Sequence, residues 1–192
     1  MGMENQTYYK TEDSVSEYIQ MAAEVDSFQL IKKLEAFLDK DALLLEIGSG
    51  PGTDWKLLNQ NYQAIGSDFS EVFLKHLQNR HPEGQFLLLD AISLETEEKF
   101  DAIYSNKVLH HLKDDEMFVS MKRQLDILKP KGIICHSFWK GEGAEDFKGM
   151  FVNNYTMKAL KQLFEPEFEI LQIEEYQEFE ADDSIVLIAR KK

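Results

Sequence analysis

The chain has 192 residues, with 21 Lys plus Arg against 35 Asp plus Glu, for a formal net charge of −14. That charge argues against a general nucleic-acid binder, whose affinity rests on a basic footprint, and against docking on an anionic membrane surface. The length suits one domain, and 43% hydrophobic residues with 13 Phe supply enough apolar matter for a core.

The single cysteine, Cys135, leaves no intramolecular disulfide framework and no cysteine-built zinc site. It lies in the apolar run Gly132-Ile133-Ile134-Cys135 and reads as a small buried hydrophobe. No apolar run is long enough to span a bilayer, and no charged-then-apolar leader opens the chain. A cytoplasmic protein with no membrane partner is the expectation.

In chain order, residues 14–24 place Val15, Tyr18, Ile19 and Ala22 on one helical face, and residues 26–38 repeat the pattern with Phe28, Ile31, Leu34 and Leu38. Ala42-Leu43-Leu44-Leu45-Glu46-Ile47 reads as a strand buried on both sides. A helix follows from Thr53 to Asn59, then a strand from Gln63 to Asp68. Ser70 is an N-cap for a helix carrying Val72, Phe73 and Leu77. Strands are predicted at Phe86–Asp90 and Phe100–Ser105. A helix over 114–128 follows, with Phe118, Met121, Leu125 and Leu128 at helical spacing. A fifth strand runs from Ile133 to Trp139, and residues 139–155 read as a loop. Thr156 caps a further helix. The runs Phe168–Phe179 and Ser184–Arg190 are too close for a helical crossover and are predicted as antiparallel neighbours. Alternating strands and helices followed by a hairpin make an α/β fold: a doubly wound, mostly parallel sheet with helices on both faces and one reversed strand.

Ligands of such sheets bind beyond the carboxyl ends of the strands. Four features stand there. Glu46-Ile47-Gly48-Ser49-Gly50-Pro51-Gly52 joins a buried strand to a helix, and its glycines permit positive φ and close backbone approach. The dinucleotide fingerprint G-x-G-x-x-G would need glycine at Thr53, so the loop suits a nucleoside better than a pyrophosphate. Asp68 ends the second strand, where a carboxylate accepts hydrogen bonds from ribose hydroxyls; the plainer alternative is a turn carboxylate. Asp90-Ala91 ends the third strand, placed for an adenine amino group or simply solvated. Asn106 follows the fourth strand, where it is positioned to accept from an ammonium group. His110 and His111 are candidate catalytic bases. The plainer alternative packs one in the core and turns the other to water. Helical neighbours do not share a face, so no metal is expected there.

The series Glu46 to Gly52, Asp68, Asp90-Ala91 and Ser105-Asn106-Lys107-Val108-Leu109-His110-His111-Leu112 resembles class I S-adenosylmethionine-dependent methyltransferases, in particular the type 11 or 12 small-molecule group. The resemblance implies a Rossmann-like seven-stranded sheet with the last strand antiparallel. It also implies one methyltransferase domain over 1–192, with a helical cap at 1–40, a cofactor core at 41–140 and a C-terminal helix and hairpin at 141–192. It further implies S-adenosylmethionine as cofactor, with Gly48, Ser49 and Gly50 at its methionine part, Asp68 at the ribose, Asp90, Ala91 and Phe69 at the adenine, and Asn106 at the methionine end. Lys107 stands where that family often has a small residue.

Tyr9 (with Tyr8), Trp139 and Tyr155 are candidate acceptor contacts, from the parts that match the family least. The acceptor is expected to be a small molecule; a protein substrate is an open variant and nucleic acid is not expected. Glu174, Glu175, Glu178, Glu180, Asp182 and Asp183 read as a solvated edge. Two rival readings are a catalytically degenerate cofactor- or partner-binding module and an NAD-dependent oxidoreductase. Thr53 and the terminal antiparallel pair argue against the oxidoreductase.

Overall fold

The computed structural model describes residues 27–147 and 149–192. Tyr8, Tyr9, the helix expected at 14–24 and most of the expected cap lie outside the described residues. In chain order the elements are α1 (Phe28–Leu34), β1 (Leu43–Ile47), α2 (Thr53–Leu58), β2 (Gln63–Asp68), α3 (Glu71–Arg80) and β3 (Gln85–Leu88). Then come β4 (Phe100–Asn106), a 3₁₀ turn (Leu109–His111), α4 (Asp114–Ile127), β5 (Leu128–Trp139), β6 (Gly143–Phe147), β7 (Met150–Asn154), α5 (Met157–Phe164), β8 (Phe168–Tyr176) and β9 (Ser184–Lys191).

Seven strands form one sheet in the order β3-β2-β1-β4-β5-β9-β8. β1 pairs in parallel with β2 and β4, and β4 pairs in parallel with β5. β9 runs antiparallel to both β5 and β8. Two reversals restore the direction, so β8 points the same way as the parallel strands. Its carboxyl end therefore lies at the same edge as theirs.

Successive residues of a strand face opposite sides, and this period of two divides the core. Leu45, Ile47, Ile103, Ile134 and Leu187 pack on one face against Met117, Met121, Leu160 and Phe164 of α4 and α5. Leu44, Ala102, Tyr104, Ile133, Cys135, Val186 and Ile188 pack on the other against Leu30, Ile31, Leu34, Trp55 and Leu58 of α1 and α2. Both faces are covered, which is why β1 reads as a near-continuous apolar run, with Glu46 its one charged residue, rather than an alternating one. Cys135 is fully buried, and burial pushes its thiol up to about 12, so it is inert.

The expected caps form. Ser70 accepts from the Phe73 N–H at 3.4 Å and Thr156 from the Ala159 N–H at 3.1 Å. The loop expected over 139–155 is instead mostly the antiparallel pair β6–β7, with Gly143 opposite Asn154 and Phe147 opposite Met150. β6 is exposed along its length, so it has no buried alternation from which a strand could be read.

The winding direction reverses between β1 and β4. The crevice beyond their carboxyl ends is the position at which doubly wound sheets take ligands.

Candidate active site

Two adjoining cavities flank the glycine loop at that crevice. A polar one is lined by Glu46, Ser49, Asp54, Ser27 and Glu178, among others. An apolar one is lined by Ile47, Phe69, Phe73, Leu89, Ala91 and Val108, together with Asp68. Gly48, Gly50, Asn106 and Lys107 belong to both, so the cavities form one cleft running over the loop.

The loop is held from below. Gly48 has φ +72°, and a Cβ there would stand 2.5 Å from Val108 Cγ2. Only glycine meets both conditions. Ser49 donates to Glu46 at 2.5 Å and accepts from the Ser67 N–H at 3.1 Å. Asp68 takes the Gly50 N–H on one oxygen at 3.0 Å and the Ser70 N–H on the other at 2.9 Å. A carboxylate offers about four lone-pair positions, so Asp68 keeps acceptor capacity toward the cavity it lines. Burial pushes its pKa up to about 6.

Glu46 is buried and Asp54 half-buried; desolvation raises both, and the charge of Asp54 raises Glu46 further. Asp54 accepts from Tyr104 Oη at 2.7 Å and Asn106 Nδ2 at 3.1 Å. Asn106 donates to Ser27 as well and accepts from the Ser137 hydroxyl, so its amide braces β4 against the start of α1 and against α2. The polar end thus concentrates carboxylates that are costly to keep ionised until a cation arrives.

Asp90 bonds the Ile92 N–H at 2.7 Å and closes a turn; its neighbour Ala91, rather than Asp90, lines the cavity. The Ala91 carbonyl accepts from Ser120 Oγ at 2.6 Å. Ser120 accepts from Gln124, whose carbonyl oxygen accepts from His136 Nε2 at 2.8 Å; His136 Nδ1 faces Ser105 Oγ at 2.8 Å. This buried chain ties the turn to β4 and β5. Gly52 does not line the cleft: its φ is +83° at the start of α2, and its N–H donates to the Ser49 carbonyl at 2.8 Å.

A third cavity, of about 450 Å³, adjoins the apolar one and shares Lys107 and His111 with it. Its other walls include His110, Trp139, Phe147, Met150 and Val152. The β6–β7 pair, missed in the sequence, builds one side. Tyr155 is not on the wall: it is 7% exposed and its ring packs on Phe138 at 5.1 Å. His110 is buried, whereas His111 is half-buried and lines both cavities. Their Nε2 atoms lie 3.0 Å apart. The helical-face expectation fails because the segment is a single short 3₁₀ turn ending at Leu112.

Lys107 stands at the junction of all three cavities, in the left-handed region at φ 53°. Its Nζ bonds Glu178 at 2.5 Å, Ser184 at 2.8 Å and Tyr176 at 3.1 Å, and lies 4.0 Å from the Trp139 ring centroid. Glu178 is therefore a buried partner and not part of a solvated edge. Asp183 is likewise engaged, accepting the backbone N–H groups of 178, 179 and 180, and these bonds hold it down to about 2 against the opposing effect of burial. The direction of β8 explains both, because it delivers residues 177–183 to the ligand edge. No local pattern in the sequence marks this placement.

Comparison with known proteins finds likenesses in sequence and in fold. A family model described as methyltransferase domain matches residues 44–132. Trans-aconitate 2-methyltransferase of Escherichia coli strain 55989 is 28% identical over 102 residues, 51% of this chain and 39% of that protein. Malonyl-[acyl-carrier protein] O-methyltransferase of Calditerrivibrio nitroreducens is 32% identical over 108 residues, 55% of this chain and 41% of that protein. The chain thus aligns with about two fifths of the length of these curated relatives. Burkholderia thailandensis 1,6-didemethyltoxoflavin-N1-methyltransferase, solved with S-adenosylhomocysteine and 1,6-didemethyltoxoflavin, superposes with a TM-score of 0.79 at 20% identity, over 94% of this chain and 84% of that one. The chain therefore shares the Rossmann-like fold of that structure. Among the described residues, no helix is long and apolar enough to cross a membrane.

Proposed function

We propose that this protein transfers the methyl group of S-adenosylmethionine to a small-molecule acceptor. The observation that carries this reading is the two-ended cleft: clustered carboxylates at one end, an apolar slot at the other, and a separate cavity opening beside it. The ligand it suits has a cationic amino-acid end and a flat apolar end. Glu46 and Asp54 supply the negative field for the ammonium and sulfonium. The Gly48–Gly50 backbone lets the ligand lie close. Asp68 accepts from the ribose hydroxyls, and Phe69 and Ala91 flank the base. Asn106 bridges the two ends. Trp139 and the β6–β7 pair hold the acceptor.

A sulfonium is already an excellent leaving group. The chain's task is to align the acceptor with the methyl carbon, and proximity and orientation supply up to ~7–11 kcal/mol in favourable systems. The relatives support a small or carrier-borne acceptor: they are named for trans-aconitate, a malonyl group on acyl-carrier protein, and 1,6-didemethyltoxoflavin.

Calorimetry tests the cofactor, and release of S-adenosylhomocysteine in a metabolite screen tests the reaction. S-adenosylmethionine is expected to bind, and Asp68→Ala to abolish binding. Tight NAD binding with no S-adenosylmethionine binding overturns the reading.

A further inference from the structure

His110 and His111 form a hydrogen-bonded line whose proton positions follow from its far end. The Phe151 carbonyl lies 2.8 Å from His111 Nδ1 and can only accept, so that nitrogen carries the proton. Neutral His111 then presents a bare Nε2, which accepts from His110 Nε2 at 3.0 Å. Neutral His110 is left with its lone pair on Nδ1. That atom is buried and has no hydrogen-bond partner among the described residues. An unsatisfied buried acceptor is costly; His110 lines the third cavity, and a small shift of its ring that opens Nδ1 to a donor there removes the cost.

The other titratable groups around this cavity are committed. Lys107 and Lys140 are paired with Glu178 and Glu175. Asp183 is occupied by backbone N–H groups, and Glu145 accepts from Asn154 at 3.1 Å. The two lysines and two carboxylates on the wall balance in sign.

Resting on the methyltransferase reading, we propose that His110 is the general base and His111 its positioning partner, so that the acceptor is a neutral small molecule whose reacting nitrogen or oxygen still bears a proton. As the bond from that atom to the methyl carbon forms, the carbon–sulfur bond breaks and its electron pair stays on sulfur. The acceptor's proton passes to His110 Nδ1. The resulting imidazolium keeps donating through Nε2 to His111, which is held by Phe151. The positive charge moves from sulfur to imidazole, so the site's net charge is unchanged during the step. Burial, His111 and Lys107 all disfavour that imidazolium, and it returns its proton to water once product leaves.

Long-range proton–nitrogen NMR of the full chain at pH 7.5, assigned with His110→Phe and His111→Phe, reads the tautomers without any acceptor. The expected result is His110 protonated on Nε2 and His111 on Nδ1; a proton on His110 Nδ1 overturns the proposal. Phenol and anisole, added to the protein loaded with S-adenosylhomocysteine, then compare an O–H probe with its methylated twin. Phenol is expected to bind about threefold to tenfold tighter, the range of one net hydrogen bond, and His110→Phe to erase that preference. Equal affinities in the wild type overturn the proposal. Failure of S-adenosylhomocysteine to bind overturns the methyltransferase reading instead, and the tautomers remain readable in that case.

Discussion

The glycine loop and the β6–β7 pair sit on opposite sides of Lys107, and they are built differently. The loop is short and local: Gly48, Ser49 and Gly50 are bonded to Glu46, Ser67 and Asp68 at the tips of β1 and β2. Its conformation is imposed by contacts that no other side chain fits. The β6–β7 pair is exposed on β6 and touches the rest of the molecule through β7 and its Phe151 carbonyl. The glycine loop is thus fixed by many contacts, whereas β6 is held mainly by its pairing with β7.

Alanine at one glycine of each region gives the widest contrast. Gly48 and Gly143 share a positive φ, +72° and +78°, but a Cβ at Gly48 meets Val108 while at Gly143 nothing lies within 4 Å. Gly48→Ala is expected to destabilise by about 2–5 kcal/mol, summing left-handed strain and overpacking, with loss of cofactor binding. Denaturant unfolding and calorimetry check both.

A change of pH should separate the regions next. Asp68 must be ionised to accept from a ribose, and its pKa in the free protein is about 6. Cofactor affinity is expected to fall about tenfold between pH 8 and pH 5 in calorimetry, an effect Asp68→Asn removes. The stability contribution of Asp68 moves the other way. Its folded pKa lies above the unfolded value, so the contribution is full below the unfolded pKa and is lost as pH rises through about 6. A flat affinity profile would break the assignment of Asp68 to the ligand.

Gly143→Ala is the mildest change. Only the backbone strain of about 1–2 kcal/mol remains, and cofactor affinity should stay within twofold in the same calorimetry. If it weakened binding as much as Gly48→Ala, the two regions would not be independent.

Much of the cofactor side was legible because its signals are local. An apolar run ending in Glu46-Ile47-Gly48 is a buried strand meeting a tight turn, whatever the rest of the chain does. Ser70 and Thr156 are caps by their own chemistry. Asp90 was harder to place, because a strand-end carboxylate looks the same whether it meets a ligand or closes its own turn; here one of its oxygens accepts from the Ile92 N–H. Tyr155 was drawn toward the acceptor by its position in a presumed loop, and its packing on Phe138 puts it in the core. Asp54 and Glu178 carried no pattern at all, since their roles depend on partners 52 and 71 residues away.

Periodicity and turn chemistry by themselves determined the alternating strands and helices, the reversed strand near the end and the loop under the cofactor, because each depends on neighbours a few residues apart. Tertiary structure alone decided that β8 returns to the edge of the glycine loop with Glu178, that β6–β7 walls the third cavity, and that two adjacent histidines come within hydrogen-bond distance. Those outcomes depend on strand direction and on contacts between distant segments, and no window of sequence contains them.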